Sequence, residues 1–155
     1  MTGVQTCALP ISRPTRGVLD SYFRRHPDVY QMERNGDARF DAIAEAVRTQ
    51  AGDCRSVIDV ACYEGYGLHH LARNLRLETV TGLDLSEVAL ERARTRCAGL
   101  DATFMSFDLS SLYENPSIGL PVAAPADVIV LCEVDRKSTR LNSSHIPLSR
   151  MPSSA

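Results

Sequence analysis

The chain has 155 residues, enough for one domain with a core of its own, and its 44% hydrophobic and 23% charged content is ordinary for a globular protein. A net charge of −2 gives no basic surface to suggest nucleic acid or an anionic membrane, and no apolar run approaches the roughly 20 residues that span a bilayer. The five cysteines (Cys7, Cys54, Cys62, Cys97, Cys132) are scattered without zinc spacing, so no metal is expected and reduced thiols in the cytoplasm are the reading.

In chain order, Gly17 to Arg25 predicts a short helix, limited by Pro27. Asn35-Gly36 signals a turn, after which Asp37 is expected to cap a helix over 38–50. Phe40, Ile43, Ala44 and Val47 fall on one face of that helix, and Gly52 ends it. Ser56 to Val60 (SVIDV) has the near-continuous apolar run of a buried parallel strand. The loop ACYEGYG follows. Leu68, Leu71, Ala72 and Leu75 then predict a helix over Gly67 to Arg76. Thr79 to Leu83 reads as a second strand ending at Asp84. Ser86 caps the next helix, with Glu87 in its first turn and Ala89, Leu90, Ala93 and Cys97 on its buried face. Ala102 to Phe107 reads as a third strand ending at Asp108. Residues 110–126, with three prolines, read as a long loop, and Asp127 to Val134 (DVIVLCEV) as a fourth strand. Alternating helices and apolar strands predict an α/β fold, a Rossmann-like doubly wound parallel sheet. Right-handed crossovers would place the second strand on one side of the first and the fourth on the other. A crevice then opens at their carboxyl ends, where ligands bind in such sheets.

Three carboxylates, Asp59, Asp84 and Asp108, stand at or near the ends of successive strands around that crevice. Between Asp59 and the next helix, Ala61 to Gly67 would make the tight turn that lets a ligand approach backbone amides. A carboxylate at Asp84 can accept hydrogen bonds from the two hydroxyls of a ribose, and one at Asp108 from an exocyclic amine such as that of adenine. Any one of these aspartates can equally cap the turn or helix that follows it. His69-His70, one turn into a helix, is read as exposed or packing.

Taken together, the segments resemble class I S-adenosylmethionine (SAM) dependent methyltransferases. VIDVACYEGYGLHHLA (57–72) is similar to the family's motif I, V-L-D-V-G-C-G-T-G. VTGLDLSEVALERAR (80–94) is similar to V-x-G-x-D-x-S-x-x-x-L-x-x-A-R, and ATFMSFDLSSL (102–112) and ADVIVLCEV (126–134) resemble the next two strand segments. The resemblance implies a SAM cofactor, with Asp59, Ala61, Cys62, Tyr63 and Gly65 around its methionine part. It places Asp84 on the ribose, Leu85 against adenine, and Asp108 and Leu109 near the adenine amine, with Leu131 and Cys132 approaching from the fourth strand. Ala61 and Tyr63 replace the family's first two glycines. Tyr63 would need a negative φ or a ring directed away from the ligand, and Glu64 would meet the cofactor's amino group or solvent. The implied reaction is methyl transfer to an unidentified acceptor, a small molecule, with no catalytic base in view. The competing readings are a non-catalytic nucleotide-binding remnant and an NAD-dependent Rossmann oxidoreductase, which would prefer Gly-x-Gly-x-x-Gly in the loop.

The ends read differently. Thirteen basic residues lie between Arg13 and Arg96, all arginine, against 18 acidic residues over 13–134, while the single lysine, Lys137, lies beyond. Met1 to Ile11 and Asp135 to His145 resemble the translated two ends of a sequencing-library adapter, with Ser149 to Ala155 matching its far end. On this reading 1–12 is adapter-derived, 13–134 is a partial SAM-binding domain truncated after its fourth strand, and 135–155 is a disordered tail. An apolar fourth strand left at the sheet edge would then make the chain aggregation-prone, inactive, and a weak SAM binder at best.

Overall fold

The computed structural model describes residues 15–27, 31–132 and 149–150. The elements are α1 (Arg16–Arg25), α2 (Met32–Asn35), α3 (Asp37–Ala51), β1 (Ser56–Val60), α4 (Tyr66–Asn74), β2 (Thr79–Asp84), α5 (Glu87–Arg96), β3 (Ala102–Ser106), α6 (Ser110–Glu114), a 3-10 turn (Pro116–Ile118), β4 (Val128–Leu131) and β5 (Ser149–Arg150). The sheet order is β3-β2-β1-β4-β5, with the first four strands parallel. β1 therefore lies between β2 and β4, the arrangement that the crossover rule predicts.

Strand alternation divides the core. Val57, Val80, Val128 and Val130 join Phe40, Ile43, Ala44 and Val47 of α3, Leu68 and Leu71 of α4, and Leu90 and Ala93 of α5 on one face. Ile58, Val60, Leu83 and Ile129 point to the other face, against Ala126 and the partly buried Phe107, Leu109, Leu120 and Val122. Both faces of β1 are covered, which is why its sequence is apolar apart from Ser56 at its start and Asp59. Where α3 packs on α4, a Cβ at Gly67 would come within 2.5 Å of the Phe40 ring, so only glycine permits this helix contact. At the amino-terminal edge, Asp127 Oδ2 accepts from the backbone N–H of Arg55 and Ser56 and from the Ser56 hydroxyl, each at 2.9 Å, fixing the starts of β1 and β4 together.

Several boundaries differ from the sequence reading, each for a local reason. The Asn35-Gly36 turn is the end of an extra helical turn, α2, and Gly36 takes a right-handed helical conformation that leads into α3. Asp37 is accordingly the first residue of α3 and not its cap. α4 begins at Tyr66, one residue after the left-handed Gly65. Residues 110–126 are not wholly loop. Asp108 Oδ1 accepts from the N–H of Ser110 (2.9 Å) and its hydroxyl (2.6 Å), nucleating α6, and Asn115 Oδ1 accepts from the Ser117 N–H to start the 3-10 turn. Strands 3 and 4 are shorter than predicted, ending at Ser106 and Leu131. The outer edge of β4 is not bare: Val128 and Ile129 pair antiparallel with Arg150 and Ser149 of β5. The expectation of a disordered tail otherwise falls on residues outside those described, as does residue 134.

Candidate functional site

The candidate site is the turn from β1 into α4 and the adjoining end of β2. Ala61, Tyr63 and Gly65 all have positive φ (64°, 53° and 70°), so the turn repeatedly enters the left-handed region. For a residue with a Cβ this costs roughly 1–2 kcal/mol. Anchors on either side offset that cost. The Cys62 N–H donates to Leu83 O (3.0 Å), the Gly65 N–H to Cys62 O (3.0 Å), and the Tyr63 N–H to Asp84 Oδ2 (2.9 Å). Asp84 Oδ1 accepts in turn from the Ser86 N–H (2.9 Å). One carboxylate thus ties the turn to the amino-terminus of α5. Glycine is required at Gly65, because a Cβ there would sit 2.9 Å from Ala93 Cβ in addition to the left-handed backbone.

Tyr63 does not adopt the negative φ that was one of its two sequence-based options; it takes the other. Its buried ring lies 4.9 Å from the Phe23 ring of α1, centroid to centroid, in a cluster with Val88 and Ala89. Burying an aromatic ring stabilises the strained backbone that carries it. Glu64 does not face solvent. It is buried and ion-paired with Arg92, with Arg96 Nη2 at 3.9 Å, both on α5. Arg92 also donates to Phe23 O (3.1 Å) and Arg96 Nε to Glu64 O (3.3 Å).

Asp59 is the electrostatic centre of the site. It is 5% exposed, and its Oδ1 is buried with no hydrogen-bond partner among the described residues. Its register neighbours are Gly82 on β2 and Val130 on β4. Burial, with a smaller contribution from the Asp84 charge, pushes its carboxyl up to about 8, so it holds a proton at neutral pH. Burial followed by the Asp59 and Asp84 charges pushes the Cys62 thiol well up, making it a small buried residue and not a nucleophile.

The structure therefore brings Asp59, Cys62, Tyr63, Gly65 and Asp84 together, with Ala61 exposed at the mouth of the turn and Leu85 half-buried beside Asp84. Asp108 stands two residues past β3, exposed, with its carboxylate engaged locally by Ser110. Leu109 and Leu131 pack in the second core cluster. His69 and His70 belong elsewhere. With Asp37, Asp41, Tyr66, Arg73, Asn74 and Arg96 they line a surface groove of about 560 Å³ along α3 and α4, in which His70 Nε2 lies 2.8 Å from Asp41 Oδ1. Sequence reasoning missed Asp20, Phe23, Arg92 and Arg96. The i, i+4 spacing of the two arginines opposite a loop glutamate was the one available signal.

From Val57 on, this strand, turn and helix fall within a stretch, residues 57–137, that matches the family described as a methyltransferase domain. The chain belongs to this methyltransferase family. Streptomyces venezuelae DesVI is 28% identical over 68% of the methyltransferase chain and 40% of its own, with a TM-score of 0.53. SAM-bound CalS10, an amino pentose methyltransferase from Micromonospora echinaspora, is 21% identical over 69% of this chain and 42% of its own, also at 0.53, a likeness of fold. The methyltransferase chain thus spans about two fifths of the length of these solved structures. No curated protein matches it. No helix among the described residues is long and apolar enough to cross a membrane.

Proposed function

We propose that this methyltransferase chain binds SAM between the β1–α4 turn and the ends of β1 and β2, in the service of methyl transfer to a small-molecule acceptor. The observation that carries the reading is the family match at 57–137, the stretch that folds into the turn of left-handed residues and its paired aspartates.

The residues present fit the cofactor. Asp59 and Asp84 are close enough for one charge to raise the other's affinity for protons, and the first has an orphaned buried oxygen. Such a pair suits a ligand that is cationic and donates hydrogen bonds, since a nearby positive charge favours the ionised form of a buried acid. Asp59 and the turn at Ala61, Cys62, Tyr63 and Gly65 would hold the methionine part. Asp84, whose two oxygens also accept from the Tyr63 and Ser86 N–H groups, would accept from the ribose hydroxyls. Leu85 would lie against adenine, with Asp108 and Leu109 beside its amine. When bound, SAM supplies a methyl group on a cationic sulfur, an already activated leaving group. The chain's residues then act by orientation, and alignment of this kind can contribute about 7–11 kcal/mol to a reaction. The chain carries the cofactor side of this task. We assign it weak cofactor binding and no turnover by itself.

The test is a titration of the chain with S-adenosylhomocysteine (SAH), SAM and NAD, followed by amide NMR shifts. Saturable shifts at Cys62, Gly65 and Leu85 with the first two ligands support the reading. Shifts with NAD alone would replace it with the oxidoreductase reading, and none with any ligand would overturn the cofactor-binding reading.

A further inference from the structure

A closed circuit of contacts joins the site to a helix that no sequence motif connects with it. Starting from Asp84, one oxygen accepts from the Tyr63 N–H and the other from the Ser86 N–H. The Ser86 hydroxyl donates to Asp20 Oδ1 of α1 at 2.6 Å, and the Val88 N–H donates to the same oxygen at 3.2 Å. One turn further along α1, Phe23 is 4% exposed and its ring packs on the Tyr63 ring, while its carbonyl accepts from Arg92. Arg92 is ion-paired with Glu64, the residue after Tyr63. The circuit runs from α1 through the α5 cap, Asp84 and the turn, and back to α1.

We infer that α1 is a positioning element of the cofactor site, with Asp20 and Phe23 holding the two segments that Asp84 joins and so keeping the turn at Tyr63 in its left-handed shape. This rests on the functional reading above. The physical reason lies in Tyr63. A side chain with a Cβ resists positive φ, whereas glycine adopts it readily. A turn with tyrosine at this position therefore needs an external partner to hold it, and among the described residues the Phe23 ring packs on it beside Val88 and Ala89. The two features, strained backbone and docked helix, belong to one device: α1 substitutes for the intrinsic freedom a glycine would bring. Neither Asp20 nor Phe23 has to touch the cofactor to affect its binding.

The experiment is a double-mutant cycle on SAH affinity, read by NMR titration of the unaltered chain, Phe23→Ala, Tyr63→Gly and the pair. Phe23→Ala alone is expected to weaken binding roughly tenfold, equivalent to about 1.4 kcal/mol, and to move the Cys62 and Gly65 amide signals before ligand is added. In the Tyr63→Gly background the same change is expected to alter affinity less than about twofold, because glycine holds the turn without α1. Phe23→Leu, which keeps an apolar contact, should recover most of the loss even if Phe23→Ala folds poorly. Equal losses in both backgrounds, or no loss in either, would overturn the inference while leaving the functional reading intact. Failure of the unaltered chain to bind SAH removes the functional reading, and this inference with it.

Discussion

Replacing Asp59 with asparagine tests the electrostatics of the site directly. In the folded chain the Asp59 carboxyl is raised from 3.8 to about 8, chiefly by burial and secondarily by Asp84. Between those two pH values the folded state holds a proton that the unfolded state has released. The stability associated with the neutral acid is therefore fully present below about pH 4 and is lost as pH rises through about 8. At one proton, the slope is about 1.4 kcal/mol per pH unit, so the loss accumulated by pH 7 is on the order of 4 kcal/mol. An asparagine side chain there would have the same shape with nothing to titrate. Asp59→Asn should be the more stable protein at pH 7, and its stability should vary less with pH by about one proton's slope. The measurement is urea unfolding of both proteins at half-unit steps from pH 5 to 8, without ligand. Parallel stability curves across that range would show that Asp59 is ionised in the folded state, and the account of the site as a neutral buried acid awaiting a cationic ligand would fail.

Gly65→Ala is expected to destabilise the fold by about 2–4 kcal/mol, since the new Cβ lies 2.9 Å from Ala93 Cβ and the residue must keep φ at 70°; a urea midpoint shift measures it. Ser86→Ala removes the side chain that accepts from the Ala89 N–H and donates to Asp20. The loss of the cap should cost about 1 kcal/mol, with faster proteolysis at α1 than at α3 as the sign that Asp20 has been released. Glu64→Gln keeps the size of a buried side chain but removes its charge beside Arg92 and Arg96. Because Arg92 is partly exposed, the cost should be about 1–2 kcal/mol by thermal melting, and an unchanged melt would show that the pair adds nothing.

The elements that read correctly are those whose signals are local. Val57, Ile58 and Val60 announce a buried strand, Phe40, Ile43, Ala44 and Val47 a helix face, and Ser86 a cap, because periodicity and capping depend on residues a few positions apart. The order of strands followed from the handedness of crossovers, itself a property of the local chain. The turn segments were less legible. Asp37 and Ser110 sit where a side chain chooses between capping, starting or interrupting a helix, and that choice depends on what packs above it. Asp108 and Asp84 look alike on paper, each a carboxylate at a strand end. The folded chain separates them: Asp84 spans two segments, while Asp108 folds back on Ser110.

The sequence alone determined the alternation of helix and strand, the Asp59-to-Gly65 turn and the resemblance to SAM-dependent methyltransferases, since each is written in neighbouring residues. Only the tertiary structure decided that Tyr63 keeps a left-handed backbone, that Glu64 turns to Arg92, and that Asp20 and Phe23 pack against Ser86 and Tyr63. Those contacts join residues far apart along the chain, 28 positions for Glu64 with Arg92 and 66 for Asp20 with Ser86. They arise when α1 and α5 dock beside the turn, which no local pattern of side chains encodes.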